Sequence, residues 1–104
     1  VTGEKVHPRH QVDELLAAPV RLSIVAALGR ADEIEFRVLR DGIEVSDSQL
    51  SKQVSLLEQA GYVTVRKGYL GKRPRTWLSV SADGRAALAR HLAALQQIVA
   101  ADVG

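Results

Sequence analysis

The sequence predicts a mainly helical α+β domain built around a single β-hairpin. Three observations predict it. Apolar residues recur at helical spacing through most of residues 9–60. Two alternating, β-branched runs, YVTVRK (62–67) and TWLSVS (76–81), flank a stretch rich in Gly and Pro. An alanine-rich run from residue 82 to about residue 101 then follows. A length of 104 residues and an apolar fraction of 46% predict one folded domain over 1–104. A core of that size leaves little surplus stability, so a dimer interface would help it.

Taken in order, residues 1–8 read as a loose arm ending at Pro8. Val12, Leu15 and Leu16 fall at helical spacing and predict a short amphipathic helix over 9–17. Pro19 suits the first turn of a helix over 20–30, with Val20, Ile24, Ala27 and Leu28 on one side. Residues 32–35 are short and polar enough for one brief strand. Residues 36–41 predict a compact helix with Phe36 and Leu39 inward, ended by Gly42 in the left-handed conformation. Ile43 and Val45 flank a tight turn. SDSQLSKQVSLLEQAG (46–61) predicts the next helix. Ser46 is its N-cap, Gln49 completes an S-x-x-Q capping box, and Asp47 complements the helix dipole. Gly61 ends it. Residues 62–67 and 76–81 form a hairpin around the loop GYLGKRPR (68–75), and Trp77 is expected in the core. Ser81 caps the last helix, 82–101. A helix–turn–helix at 36–60 followed directly by a basic hairpin at 62–81 is the layout of a winged helix, here with a further helix at either end.

The charge is distributed unevenly. Residues 1–58 hold seven Lys/Arg against ten Asp/Glu, a balance of −3. Residues 59–104 hold seven against two, a balance of +5. Arg66, Lys67, Lys72, Arg73 and Arg75 crowd into an acid-free segment. A concentrated basic patch on a weakly charged domain is the footprint of a nucleic-acid binder, although a solvated loop would carry the same charges.

The helix over 46–60 has a polar face of unusual chemistry. Leu50, Val54 and Leu57 at i, i+4, i+7 must face the core. The opposite side then carries Ser48, Ser51, Lys52, Ser55 and Gln59, flanked by Gln49 and Gln53, with Leu56 nearer this flank than the core. Solvated helix faces usually carry Glu, Lys, Arg and Ala. Short neutral groups instead let a helix approach base edges in the major groove, about 12 Å wide, where Gln matches adenine and Lys donates to guanine. The N-terminal half of such a helix does the reading. The predicted DNA-binding set is therefore Ser46, Ser48, Gln49, Ser51, Lys52, Gln53 and Ser55, with Lys72, Arg73 and Arg75 on the wing against backbone or minor groove.

The run VSDSQLSKQVSLLEQAGYVTVRKGYLGKRPRTWLSVSADGRAAL, with APVRLSIVAALGRADEIEFRVLRD upstream, resembles the winged-helix domain of MarR/ArsR-type bacterial transcriptional regulators, above all their small single-domain members. The motifs S-x-x-L-S-K-x-x-x-x-L-E-x-x-G-Y-V, R-P-R-T-W and S-x-x-G-R carry the likeness. It implies a homodimer, a reading role for Ser48, Gln49, Ser51, Lys52 and Gln53, a wing role for Lys72, Arg73 and Arg75, and scope for a small-molecule effector. Thiolate metal or redox sensing, found in some of these relatives, is excluded because the chain has no cysteine.

The long last helix, roughly 30 Å at 1.5 Å per residue, should overhang so small a domain. Leu88, Leu92, Leu95 and Val99 repeat at spacings of 4, 3 and 4, the seam of a packed helix pair. With Leu15 and Leu16 they form the expected twofold dimer interface, placing two reading helices one DNA turn apart on a pseudo-palindromic operator. No H-E-x-x-H, G-x-S-x-G or phosphate loop occurs, so an enzyme is not expected, nor is any cofactor. His7, His10 and His91 are the only candidates for a zinc or nickel site and are expected at the surface without binding metal. No apolar run approaches the roughly 20 residues of a membrane span and no leader is evident, so a cytoplasmic protein is expected. The alternative reading is a winged helix used for protein contact, its wing meeting an acidic partner.

Overall fold

The computed structural model describes residues 6–101. Most of the expected N-terminal arm (1–5) and the last three residues lie outside the described residues. A 3-10 turn, Pro8–Gln11, leads into α1 (Glu14–Ala17), α2 (Pro19–Leu28), β1 (Ile34–Glu35), α3 (Phe36–Gly42), α4 (Asp47–Gln59), β2 (Val63–Leu70), β3 (Arg73–Val80) and α5 (Ala82–Ala100). The single helix expected over 9–17 is split. Val12 and Asp13 are extended, and the Asp13 side chain accepts the N–H of Leu15, capping a new start.

The other helix boundaries follow from local chemistry. Ser46 caps α4 by accepting the N–H of Gln49 at 3.1 Å. Ser81 caps α5 by accepting the N–H of Gly84 at 3.0 Å. Gly61, with φ +79°, takes the left-handed conformation that ends α4. The end of α3 is different from the expectation. Gly42 remains helical, and the left-handed residue of the α3–α4 turn is Glu44, with φ +59°.

Leu16, Ile24, Leu28, Leu50, Leu57 and Leu78 are fully buried and join the helices to one face of the sheet. The three strands run antiparallel in the order β1-β3-β2. Val65 opposes Leu78 and Ile34 opposes Leu78 from the other side, so these residues share the inner face. Period-2 alternation then sends Trp77, Arg66, Arg75 and Glu35 outward. Trp77 is therefore not a core residue: it lies half-buried on the outer face beneath the Arg66 guanidinium, 4.2 Å from its ring centroid. The expected eight-residue loop is also shorter. Strand pairing continues out to Leu70↔Arg73, leaving only Gly71 and Lys72 to turn the chain. Gly71 has φ +65°, and a positive φ at the first turn residue alone is the pattern of a type II′ hairpin turn.

Candidate nucleic-acid interface

The core stripe of α4, Leu50, Val54 and Leu57, fixes what the helix presents outward. Ser46, Ser48, Gln49, Ser51, Lys52 and Ser55 are all exposed. Ser51 and Ser55 turn toward the wing. With Asp47 and Glu58 they line a cleft whose other wall includes Lys67 and Thr76. Gln53 has a different neighbour: its side-chain oxygen accepts a 2.7 Å hydrogen bond from Arg21 on α2, and the residue is half-buried. The structure thus places Gln53 against α2 rather than on the open face. Leu56 is exposed among the polar residues of that face.

The helix is held from its N-terminal end by an ion pair the sequence reading missed. Arg40 on α3 bonds Asp41 at 2.9 Å and Asp47, the first residue of α4, at 2.7 Å. These two carboxylates hold the Arg40 pKa above the usual guanidinium range. Arg40 and Asp47 are seven residues apart in sequence, within neither a helix nor a strand register, so no periodicity flags them.

The five cations of the acid-free segment divide into two groups. Arg66 bonds Glu33 through Nε at 3.1 Å and Nη2 at 2.6 Å while stacking on Trp77. The hydrogen bond from Arg66 lowers the Glu33 pKa. Arg75 lies 3.1 Å from Glu35 and its side chain is only 14% exposed. That contact lacks hydrogen-bond geometry at Nε, which makes it an electrostatic pairing. Arg75, expected at a free tip, is thus a strand residue at the wing base, neutralised by β1. Lys67, Lys72 and Arg73 have no ion-pair partner among the described residues, and all are exposed.

The residues expected at a dimer interface also separate. Leu16 is fully buried in its own subunit, and Leu15 and Leu88 pack half-buried against the same core. The buried stripe of α5 is Gly84, Ala87, His91 and Ala94. Leu95 is half-buried, whereas Leu92 and Val99 are exposed, Val99 at 87%. His91, expected at the surface, is buried. Its Nδ1 accepts the N–H of Asp13 at 3.1 Å, and His7 Nδ1 accepts the N–H of Arg9. No group of three His, Asp or Glu placed to hold a metal occurs among the described residues.

An exposed helix of short polar groups, carried by a helix–turn–helix and flanked by a basic-tipped hairpin, is the architecture of winged-helix DNA-binding proteins. The chain belongs to that family: the model of the winged helix DNA-binding domain matches residues 20–99. Its fold is also that of MarR-type regulators. A structure of a transcriptional regulator homologue from Pyrococcus horikoshii OT3 superposes with a TM-score of 0.78 at 25% identity, covering 85% of this chain and 87% of that one. A MarR-family transcriptional regulator from Rhodococcus sp. RHA1 gives 0.60 at 17% identity, covering 89% and 66%. An uncharacterized protein of Methanocaldococcus jannaschii is 27% identical over 79 residues, 76% of this chain and 86% of its own. No helix among the described residues is long and apolar enough to cross a membrane.

Proposed function

We propose that this single domain is a sequence-specific double-stranded DNA-binding transcriptional regulator, acting as a homodimeric repressor. Residues 46–60 enter the major groove, where Ser48, Gln49, Ser51, Lys52 and Ser55 meet base edges and phosphates, and the wing tip grips the backbone or minor groove. One observation carries this reading. The open face of α4, the strand wall facing it and the wing tip together expose Lys52, Lys67, Lys72 and Arg73, none of them engaged by an acid among the described residues. These four cations are thus left free for phosphate contact.

The test is selection of duplexes from genomic fragments, followed by affinity measurements across a salt series. Log affinity should fall with log salt by ~0.9 per phosphate neutralised. Lys72→Ala should weaken all sequences alike and flatten that slope, whereas binding without salt dependence would refute the reading. The recovered sites should be pseudo-palindromic with half-sites about 34 Å apart. Transcription in vitro from a promoter bearing such a site should fall when the protein is added. By family likeness a small-molecule effector would relieve that repression.

A further inference from the structure

Apolar side chains left exposed by this chain are mostly scattered, but two are consecutive and sit at the end of the wing. Tyr69 is 74% exposed and Leu70 64%. A two-residue turn carries them to the tip of the hairpin, away from the core. No acid occurs in the sequence between Glu58 and Asp83, and the acids in and just before β1, Glu35 and Glu33, are engaged by Arg75 and Arg66 at the wing base. The tip is therefore both apolar and cationic. Leu70 and Arg73 are cross-strand partners, so their side chains leave the same face of the ribbon, with Lys72 at the turn beside them.

A partner that satisfies both properties is anionic outside and apolar within. Duplex DNA has that structure, with phosphates flanking a stack of bases. The minor groove is about 6 Å wide and paired strands are ~4.8 Å apart before side chains are counted, so the tip can enter where the ribbon cannot. Apolar wedges of this kind partly unstack a base step and bend the duplex.

Resting on the DNA-binding reading above, we propose that Leu70 is a wedge that enters the minor groove and opens a base step, with Arg73 and Lys72 neutralising the flanking phosphates. The wedge adds specificity without base hydrogen bonds, because pyrimidine–purine steps open more readily than others. The preferred operator then carries such a step where the wing lands, outside the bases read by α4.

The test uses the full chain and a duplex recovered by selection, end-labelled for energy transfer. Leu70→Ala should weaken binding roughly tenfold and reduce the bend, with its melting temperature unchanged because the side chain is exposed. Leu70→Met should restore both. A mismatch placed at the wing-contacted step, which unstacks it in advance, should tighten wild-type binding and leave Leu70→Ala unaffected. Wild-type affinity and bend in Leu70→Ala would overturn the wedge while leaving DNA binding intact. Failure of the wild type to bind any duplex at low salt would instead overturn the DNA-binding reading itself. A change of oligomeric state in Leu70→Ala by sedimentation would mean that a second copy of the chain covers the tip, and would overturn the wedge as well.

Discussion

Gly84 leaves no room for a methyl group. A Cβ there would collide with the carbonyl oxygen of Tyr62 and lie 2.7 Å from Val80 Cγ2. The first turn of α5 is thereby seated on the start of the hairpin, where Ser81 also donates its hydroxyl to the Gly61 carbonyl. Gly84→Ala should lower stability by about 1–3 kcal/mol, measured by denaturant unfolding. Glu44 presents the opposite case. Its left-handed φ of +59° strains an L-residue, so Glu44→Gly should stabilise the protein by roughly 0.5–1 kcal/mol despite the added chain entropy. Tyr62 donates its hydroxyl to the Asp13 carboxylate, and that hydrogen bond, with some burial, raises the phenol pKa. A raised folded-state pKa stabilises at pH below the ordinary phenol value, about 10, and that contribution is lost as pH rises through the folded value. Tyr62→Phe should cost about 1 kcal/mol at neutral pH and remove this part of the alkaline destabilisation, read from melts across a pH series.

Among elements, α4 shows what periodicity can and cannot resolve. The hydrophobic repeat of Leu50, Val54 and Leu57 identifies the buried side, and Ser46 and Gly61 mark both ends. The flanks are decided by neighbours: Arg21 engages Gln53 on one side, and Arg40 engages Asp47 on the wing side. Gln49→Ala or Lys52→Ala should therefore cost ~1–3 kcal/mol, chiefly at the preferred site, in competition binding against random DNA. Gln53→Ala should act mainly on stability. The hairpin illustrates the same limit. Gly and Pro in GYLGKRPR predict a long loop, yet Pro74 sits in β3 opposite Tyr69, near the free tip of a two-stranded ribbon where a missing donor is tolerated.

Across the whole molecule, the chain is elongated, with extents of 62 × 24 × 21 Å. Its radius of gyration is 16.4 Å, against about 13 Å for a compact chain of this length. The predicted seam on α5 is split, with Leu88 packed on its own core, Leu95 half-buried, and Leu92 and Val99 exposed. A dimer would therefore be closed by the C-terminal half of α5, with Leu16 left inside each subunit and Leu15 half-covered by its own core. Val99→Glu, alone or with Leu92→Glu, should shift sedimentation from dimer to monomer without lowering the far-ultraviolet helical signal. It should also reduce affinity for a two-half-site operator far more than for one half-site.

The sequence by itself determined the element order, the caps at Ser46 and Ser81, the core stripe of α4 and the excess of positive charge beyond residue 58. The first three are set by neighbours within a few positions, through helix or strand period, backbone φ, or a side chain reaching its own backbone, and the last is a matter of composition alone. Only the tertiary structure decided which cations stay free and which apolar residues stay exposed. Arg66 and Arg75 are neutralised by Glu33 and Glu35, and His91 is buried against Asp13, through contacts between residues more than thirty apart in sequence. Pairing of that kind depends on where separate elements meet in space, and local spacing carries no record of it.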